Sequence, residues 1–175
     1  LLISKNKEIL KEYEKLIKNK FGLRGSYIIK RGFGEAFNYR IFNKKLSTFL
    51  NLVGTPKGDK MLVSFDIPDW IKKNKEFSRE YLKIAYFCEG CKYQHSKNRE
   101  SIQFNLNKSE ELLEDGLNFI NSLKSLLKTF NIETTEMWIT KGNKRKKDGK
   151  ITKMIRFKIK ANSINKFIKE IGWYK

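Results

Sequence analysis

The sequence is short of several things, and each shortage narrows what the chain can be. Two cysteines in 175 residues give no disulfide framework, so a reducing cytoplasm is the expected setting. Two prolines argue against long rigid linkers. A single histidine, His95, leaves no case for a Ser-His or Cys-His nucleophile. Cys88 and Cys91 form a lone C-x-x-C, one pair short of a zinc site. No Gly-rich phosphate loop is present, because RGFGEAF at 31–37 reads as a hairpin turn. No apolar run approaches a membrane span, and no signal peptide is visible. Acidic residues are scarce too: 19 Asp+Glu stand against 38 Lys+Arg, for a net charge of +19. That excess favours a polyanion as partner, and nucleic acid is the commonest one for a soluble basic protein. A membrane surface is disfavoured, since no Lys/Trp-rich amphipathic helix stands apart from the core helices.

What is present is an internal repeat. Residues 1–23 and 104–132 each give a strand end, a polar cap (Ser4 or Asn6; Asn107 or Ser109) and a helix with acidic residues in its first turn. Each helix closes on Phe followed by Gly22 or Asn131, the residue types that end helices. Two strands follow in each half: Ser26–Lys30 and Ala36–Phe42, then Thr134–Thr140 and Ile151–Lys160. The closing stretches 40–54 and 158–172 align without gaps. Leu46/Ile164, Phe49/Phe167, Leu50/Ile168 and Gly54/Gly172 coincide at a constant offset of 118 residues, and their i, i+3, i+4 spacing puts the apolar members on one helix face.

The stretch 67–91, IPDWIKKNKEFSREYLKIAYFCEGC, organises the chain. Tyr81 to Phe87 is apolar almost all round, which asks for burial on most sides. The helix ends at Glu89-Gly90, with a carboxylate at the negative pole of its macrodipole. A bound divalent metal or simple fraying into water would each relieve that cost.

YLKIAYFCEG preceded by IPDWI resembles the signature helix of the LAGLIDADG homing endonucleases. FLNLVGTPKGDK (49–60) and FIKEIGWYK (167–175) are similar to the closing signatures of its archaeal and intein-borne members. The resemblance implies an α+β fold of pseudo-repeated αββαββα units, with a curved antiparallel sheet as a nucleic-acid saddle. It implies two signature helices side by side, touching here through Leu82, Ala85, Tyr86 and Cys88. It also implies metal-dependent hydrolysis of double-stranded DNA, with Glu89 as catalytic acid and Mg²⁺ ligand and Gly90 beside it at the metal. The implied organisation is a first half-repeat over 1–60 lacking its signature helix, a linker over 61–77, and a second repeat over 78–175. A lone signature helix predicts an earlier helix before Leu1 or a homodimer through residues 78–89. A DNA-binding regulator that does not cut and an RNA-binding intron maturase are the rival members of the same family.

The hairpin after Gly90 alternates. Ile102, Phe104 and Leu106 point one way, Ser101, Gln103 and Asn105 the other, and Lys92, Gln94 and Ser96 are expected to continue the polar set. In the last strand Ile151, Ile155, Phe157 and Ile159 should face the core, and Thr152, Arg156, Lys158 and Lys160 should face out. Residues 141–160 hold ten Lys/Arg and one Asp, among them Lys141, Lys144, Arg145, Lys146, Lys147 and Lys150. Lys30, Arg31 and Arg40 are further candidates for phosphate contact. A face of Lys, Gln, Ser and Asn suits major-groove readout. Any one of these residues is equally at home on an ordinary solvated face.

Overall fold

A computed structural model describes residues 2–4, 7–30, 36–96 and 99–173. The chain divides into two compact units, Leu1–Leu50 and Asn51–Lys175.

The first unit holds β1 (Leu2–Ser4), α1 (Lys7–Phe21), β2 (Ser26–Lys30), β3 (Ala36–Arg40) and α2 (Lys44–Leu52), whose last residues cross the boundary. Its three strands are antiparallel in the order β1-β3-β2. Helix α1 forms because Leu10 and Ile17, two turns apart, bury one face. It stops at Gly22, where φ is +66° and the amide bonds the Lys18 carbonyl at 2.9 Å. Tyr39 is fully buried, packs edge-on to Tyr13 at 5.9 Å, and accepts the Gly25 N–H on its hydroxyl at 2.7 Å. A Cβ on Gly25 would stand 2.4 Å from the Arg40 carbonyl oxygen, so that approach requires glycine.

The second unit begins with α3 (Asp69–Lys72) and α4 (Lys75–Glu89), continues through β4 (Gly90–Ser96) and β5 (Arg99–Ser109), and reaches α5 (Leu113–Thr129). It ends with β6 (Trp138–Lys144), β7 (Ile151–Lys158) and α6 (Ile164–Glu170). Its sheet is antiparallel in the order β4-β5-β7-β6. Ile102, Phe104, Leu106, Ile155 and Phe157 form the buried face of that sheet, beneath Leu82 and Tyr86 of α4, Phe119, Ile120 and Leu123 of α5, and Phe167 of α6. The Tyr86 ring lies 5.2 Å from Phe104 and 4.6 Å from Phe167. Helix α4 starts where Asn74 accepts the Phe77 N–H at 3.0 Å on its side chain.

Three expectations need correction. Helix α4 is buried on one side only: Ser78, Leu82 and Tyr86 face inward, while Phe77 and Ile84 are each 49 % exposed. The strand expected from Thr134 starts at Trp138, preceded by a single bridge between Thr134 and Ile159. Ile151 has the parity of the core residues but is 48 % exposed, at the loop end of β7 opposite Lys144.

Candidate nucleic-acid interface

The strand register decides what each face carries. Gln103 pairs with Lys158, Asn105 with Arg156, Asn107 with Met154 and Ser109 with Thr152. Paired residues project to the same side, so this row is the face opposite the core. Trp138 pairs with Arg156 and Asn143 with Thr152, which brings β6 into the row. On the other edge Cys91 pairs with Gln103 and Tyr93 with Ser101.

That last pairing overturns part of the expected polar set. Lys92 pairs with Ile102 and Gln94 with Glu100, so both belong to the side of the core residues and not to that of Gln103. The parity is set by Gly90 opposite Phe104, which makes Gly90 an inward position at the start of the strand. Lys92 then reaches Glu100 at 3.0 Å along the uncovered edge. Ser96 follows a register shift and lies opposite Arg99; its side chain is outside the described residues, as are that of Lys30 and the whole of Arg31.

The outer face is cross-linked by side chains. The Tyr93 hydroxyl bonds the Gln103 amide at 3.2 Å, Gln103 bonds Asn105 at 2.5 Å, and the Asn105 amide reaches the Cys91 sulfur at 3.7 Å. Lys158 stands between two rings, 5.6 Å from the centroid of Tyr93 and 5.8 Å from that of Trp138. The Arg156 guanidinium lies 2.8 Å from the Met154 sulfur. Ser101, Asn105, Arg156 and Lys158 are half-buried, and Gln103 forms the floor. Arg40 ends β3 opposite Ser26 and is also half-buried.

The basic loop between β6 and β7 has internal order. Arg145 donates its amide to Lys150 and accepts the Gly149 N–H, each at 2.9 Å, and Gly149 takes a φ of +70°. The Arg145 side chain is 13 % exposed and pairs with Asp59 at 2.8 Å and Asp148 at 3.4 Å, so its charge is already matched inside the protein. Lys141, Lys144, Lys146, Lys147 and Lys150 are exposed, with Lys150 reaching Glu111 at 3.3 Å.

Glu89 ends α4 at one edge of this sheet. Gly90 switches the backbone straight to extended conformation (φ −83°, ψ 155°) while its N–H still bonds the Tyr86 carbonyl. A Cβ there would lie 2.4 Å from that carbonyl oxygen, so the abrupt exit needs glycine. The Glu89 carboxylate pairs with the Lys60 ammonium. Burial pulls the Lys60 pKa below that of an ordinary lysine. Among the described residues no group of three or more His, Cys, Asp or Glu side chains could hold a metal ion. One carboxylate carrying an internal ammonium is at most half of a divalent-cation site, so the residues present do not fit Mg²⁺ by themselves. Of the expected helix contacts, Leu82 and Tyr86 are spent on the unit's own core, Ala85 is half-buried and Cys88 is exposed.

Sequence reasoning missed Lys60, Lys108, Tyr93 and Trp138. Lys108 is fully buried; its ammonium donates to the carbonyls of Lys60 at 2.9 Å and Val63 at 2.6 Å and sits 4.0 Å from the Phe65 ring centroid. Its parity with Ile102, Phe104 and Leu106 was the available signal.

No family model matches the chain. Among solved structures, the homing endonuclease I-DmoI in complex with DNA and manganese superposes with a TM-score of 0.55 at 15 % identity, covering 98 % of this chain and 78 % of that one. An I-DmoI variant with its target DNA and manganese gives 0.58 at 12 % identity, covering 98 % and 76 %. The fold is therefore that of a homing endonuclease, with mixed helices and antiparallel sheets. Among curated proteins, the DNA-directed RNA polymerase subunit Rpo1N of Methanocaldococcus jannaschii is 30 % identical over 125 residues, 69 % of this chain and 9 % of that protein. The tRNA-splicing ligase RtcB of Methanopyrus kandleri is 29 % identical over 106 residues, 58 % of this chain and 11 % of that protein. The chain thus spans about a tenth of the length of these curated relatives. No described helix is long and apolar enough to cross a membrane.

Proposed function

We propose that this chain binds double-stranded DNA along the outer face of the β4-β5-β7-β6 sheet, and that Glu89 is one acid of a phosphodiester-cleaving centre. The observation that carries the reading is the cross-strand row of Gln103, Asn105, Arg156 and Lys158. It combines amides able to reach base edges with cations able to meet phosphates. The solved neighbours of this fold were studied with target DNA and manganese, which supports the same class of partner here. Among the described residues no group of three His, Cys, Asp or Glu side chains gathers there, so this reading takes its second acid from elsewhere. A second copy or another segment lying on α4, where Phe77, Ile84 and Cys88 are exposed, would bring one beside Glu89. A divalent cation held between the two acids would then activate water.

The curated relatives carry names of unrelated activities yet match this chain over about a tenth of their length. We read the shared stretch as an inserted element of the intein or intron kind, borne by different host genes.

The test is duplex binding over a salt series, followed by supercoiled-plasmid cleavage with Mg²⁺ using the chain and Glu89→Gln. Binding should fall steeply with salt, and a shallow slope would remove the DNA reading. Cleavage lost in Glu89→Gln establishes the acid. A gel shift without cleavage by either protein leaves a DNA-binding protein that does not cut.

A further inference from the structure

Tyr93 stands on the edge strand β4, opposite Ser101 of β5, and its two ends meet different parts of the outer face. Its hydroxyl donates to the Gln103 side-chain oxygen at 3.2 Å. The Gln103 amide donates in turn to the Asn105 oxygen at 2.5 Å, and the Asn105 amide to the Cys91 sulfur at 3.7 Å. The Tyr93 ring lies 5.6 Å from the Lys158 ammonium, which the Trp138 ring approaches at 5.8 Å.

The bonds of this row all run one way, and the phenol sets the direction. A side-chain amide can turn over and exchange its donor for its acceptor. The reverse row would have to start from the Cys91 thiol, a weak donor. Gln103 is nearly buried and relays the order, whereas Asn105 is half-buried and reaches the surface. Beyond its two bonds in the row, Asn105 keeps one amide hydrogen and one oxygen lone pair. A donor beside an acceptor on one planar group complements adenine N7 and N6–H in the major groove. The cation is set in place as well. The Lys158 N–H donates to the Thr135 hydroxyl at 3.0 Å, and its carbonyl accepts the Thr135 N–H at 2.9 Å. Two aromatic rings then limit where its ammonium can go, which lessens the rotamer freedom lost when it meets an anion.

We propose that Tyr93 is the positioning residue of the outer face: its hydroxyl holds Asn105 in the orientation that reads adenine, and its ring, with that of Trp138, holds Lys158 for a phosphate. The inference rests on the outer face being the DNA surface, the reading proposed above, and adds the base it selects and the residue that orders it. Sequence choice passes through the hydroxyl and affinity through the ring. Removing the hydroxyl alone separates the two.

The experiment selects duplexes retained by the purified full chain from a randomised pool. Affinities are then measured for the selected duplex and for its single-base-pair replacements. The parent is compared with Tyr93→Phe, Tyr93→Leu, Asn105→Ala and Lys158→Gln. The parent should prefer A·T at one position by about tenfold, and Asn105→Ala should abolish that preference. Tyr93→Phe should reduce the preference at the same position, and Tyr93→Leu should also weaken binding to every duplex. Lys158→Gln should weaken binding to all duplexes alike and keep the preference. Damage to the fold lowers binding to all duplexes together, so a ratio lost at one position reports the orientation of the amide. An adenine preference abolished in Asn105→Ala but intact in Tyr93→Phe overturns the role of Tyr93. No adenine preference sensitive to Asn105→Ala overturns the whole inference, while steeply salt-dependent retention of duplexes still keeps the DNA reading. Failure to retain any duplex removes that reading, and the inference falls with it.

Discussion

The two units trace the same path and reach different degrees of completion. Strands β1-β3-β2 of the first unit and β5-β7-β6 of the second run in the same antiparallel order. Tyr39 and Phe157, 118 residues apart, are both fully buried on the central strand. Gly54 and Gly172 both take positive φ, +105° and +85°, after their closing helices. The second unit adds α4 and β4, and among the described residues the first has no counterpart to either. Phe167 of α6 is fully buried under Tyr86 of α4. Its repeat partner Phe49 of α2 is 50 % exposed, its ring tilted against Phe21 at 6.2 Å between centroids. One apolar position in one repeat pattern is core or surface according to whether a covering helix exists.

The sharpest way to break that comparison is to truncate the pair. Phe167→Ala should cost about 3–5 kcal/mol, and Phe49→Ala less than about 1 kcal/mol, in urea unfolding of the full chain. Equal losses would mean that Phe49 is covered after all. The next effect concerns a device described in the second unit. Lys108→Met keeps the apolar stem but leaves the Lys60 and Val63 carbonyls without their donor, which should cost about 2–3 kcal/mol; an unchanged urea midpoint would show residues 60–63 to be held without it.

Acid sharpens the same point. The Met61 amide and the Arg145 guanidinium hold the Asp59 carboxyl below the usual carboxylate range. A carboxyl with a folded-state pKa below its unfolded one stabilises above the unfolded value, near pH 4, and loses that contribution as pH falls through the folded value. Asp59→Asn should therefore flatten the acid limb of the stability curve below about pH 4, and an unaltered limb would place the acid sensitivity elsewhere. The smallest effect is read in DNA binding. Lys158→Gln and its repeat counterpart Arg40→Gln should each lower the slope of log K against log salt by about 1. Arg156→Gln should do the same, whereas its counterpart Asn38, which carries no charge, should leave the slope unchanged when replaced by Ala. A loss confined to the second unit would restrict the interface to the larger sheet.

The parts legible in the sequence were those written in periodicity. Alternation placed Ile102, Phe104 and Leu106 inward, and the spacing of Leu46 and Ile164 marked equivalent helix faces, both of which are buried. The fold class followed from the resemblance of the 67–91 stretch and the closing stretches to the LAGLIDADG family, and not from periodicity. The side of Lys92 and Gln94 was not legible, because it depends on whether the strand counts from Gly90 or from Cys91, and only pairing with Phe104 fixes that. Trp138 carried no sequence signal for the outer face, and only its pairing with Arg156 places it there. The meeting of Lys60 with Glu89 could not be seen at all, since it links a loop to a helix end through backbone anchors that no side-chain pattern encodes.

The buried Lys108 has one more consequence, for the order of assembly. Its ammonium binds carbonyls 48 and 45 positions earlier in the chain, closing α3, α4, β4 and most of β5 into a ring. Ring closure over that length carries an entropic cost that nearer-neighbour contacts avoid, and contacts of such long separation slow folding. Residues 60–63 can therefore be fastened by Lys108 only once β5 is in place, whereas the β4-β5 and β6-β7 hairpins close over shorter separations.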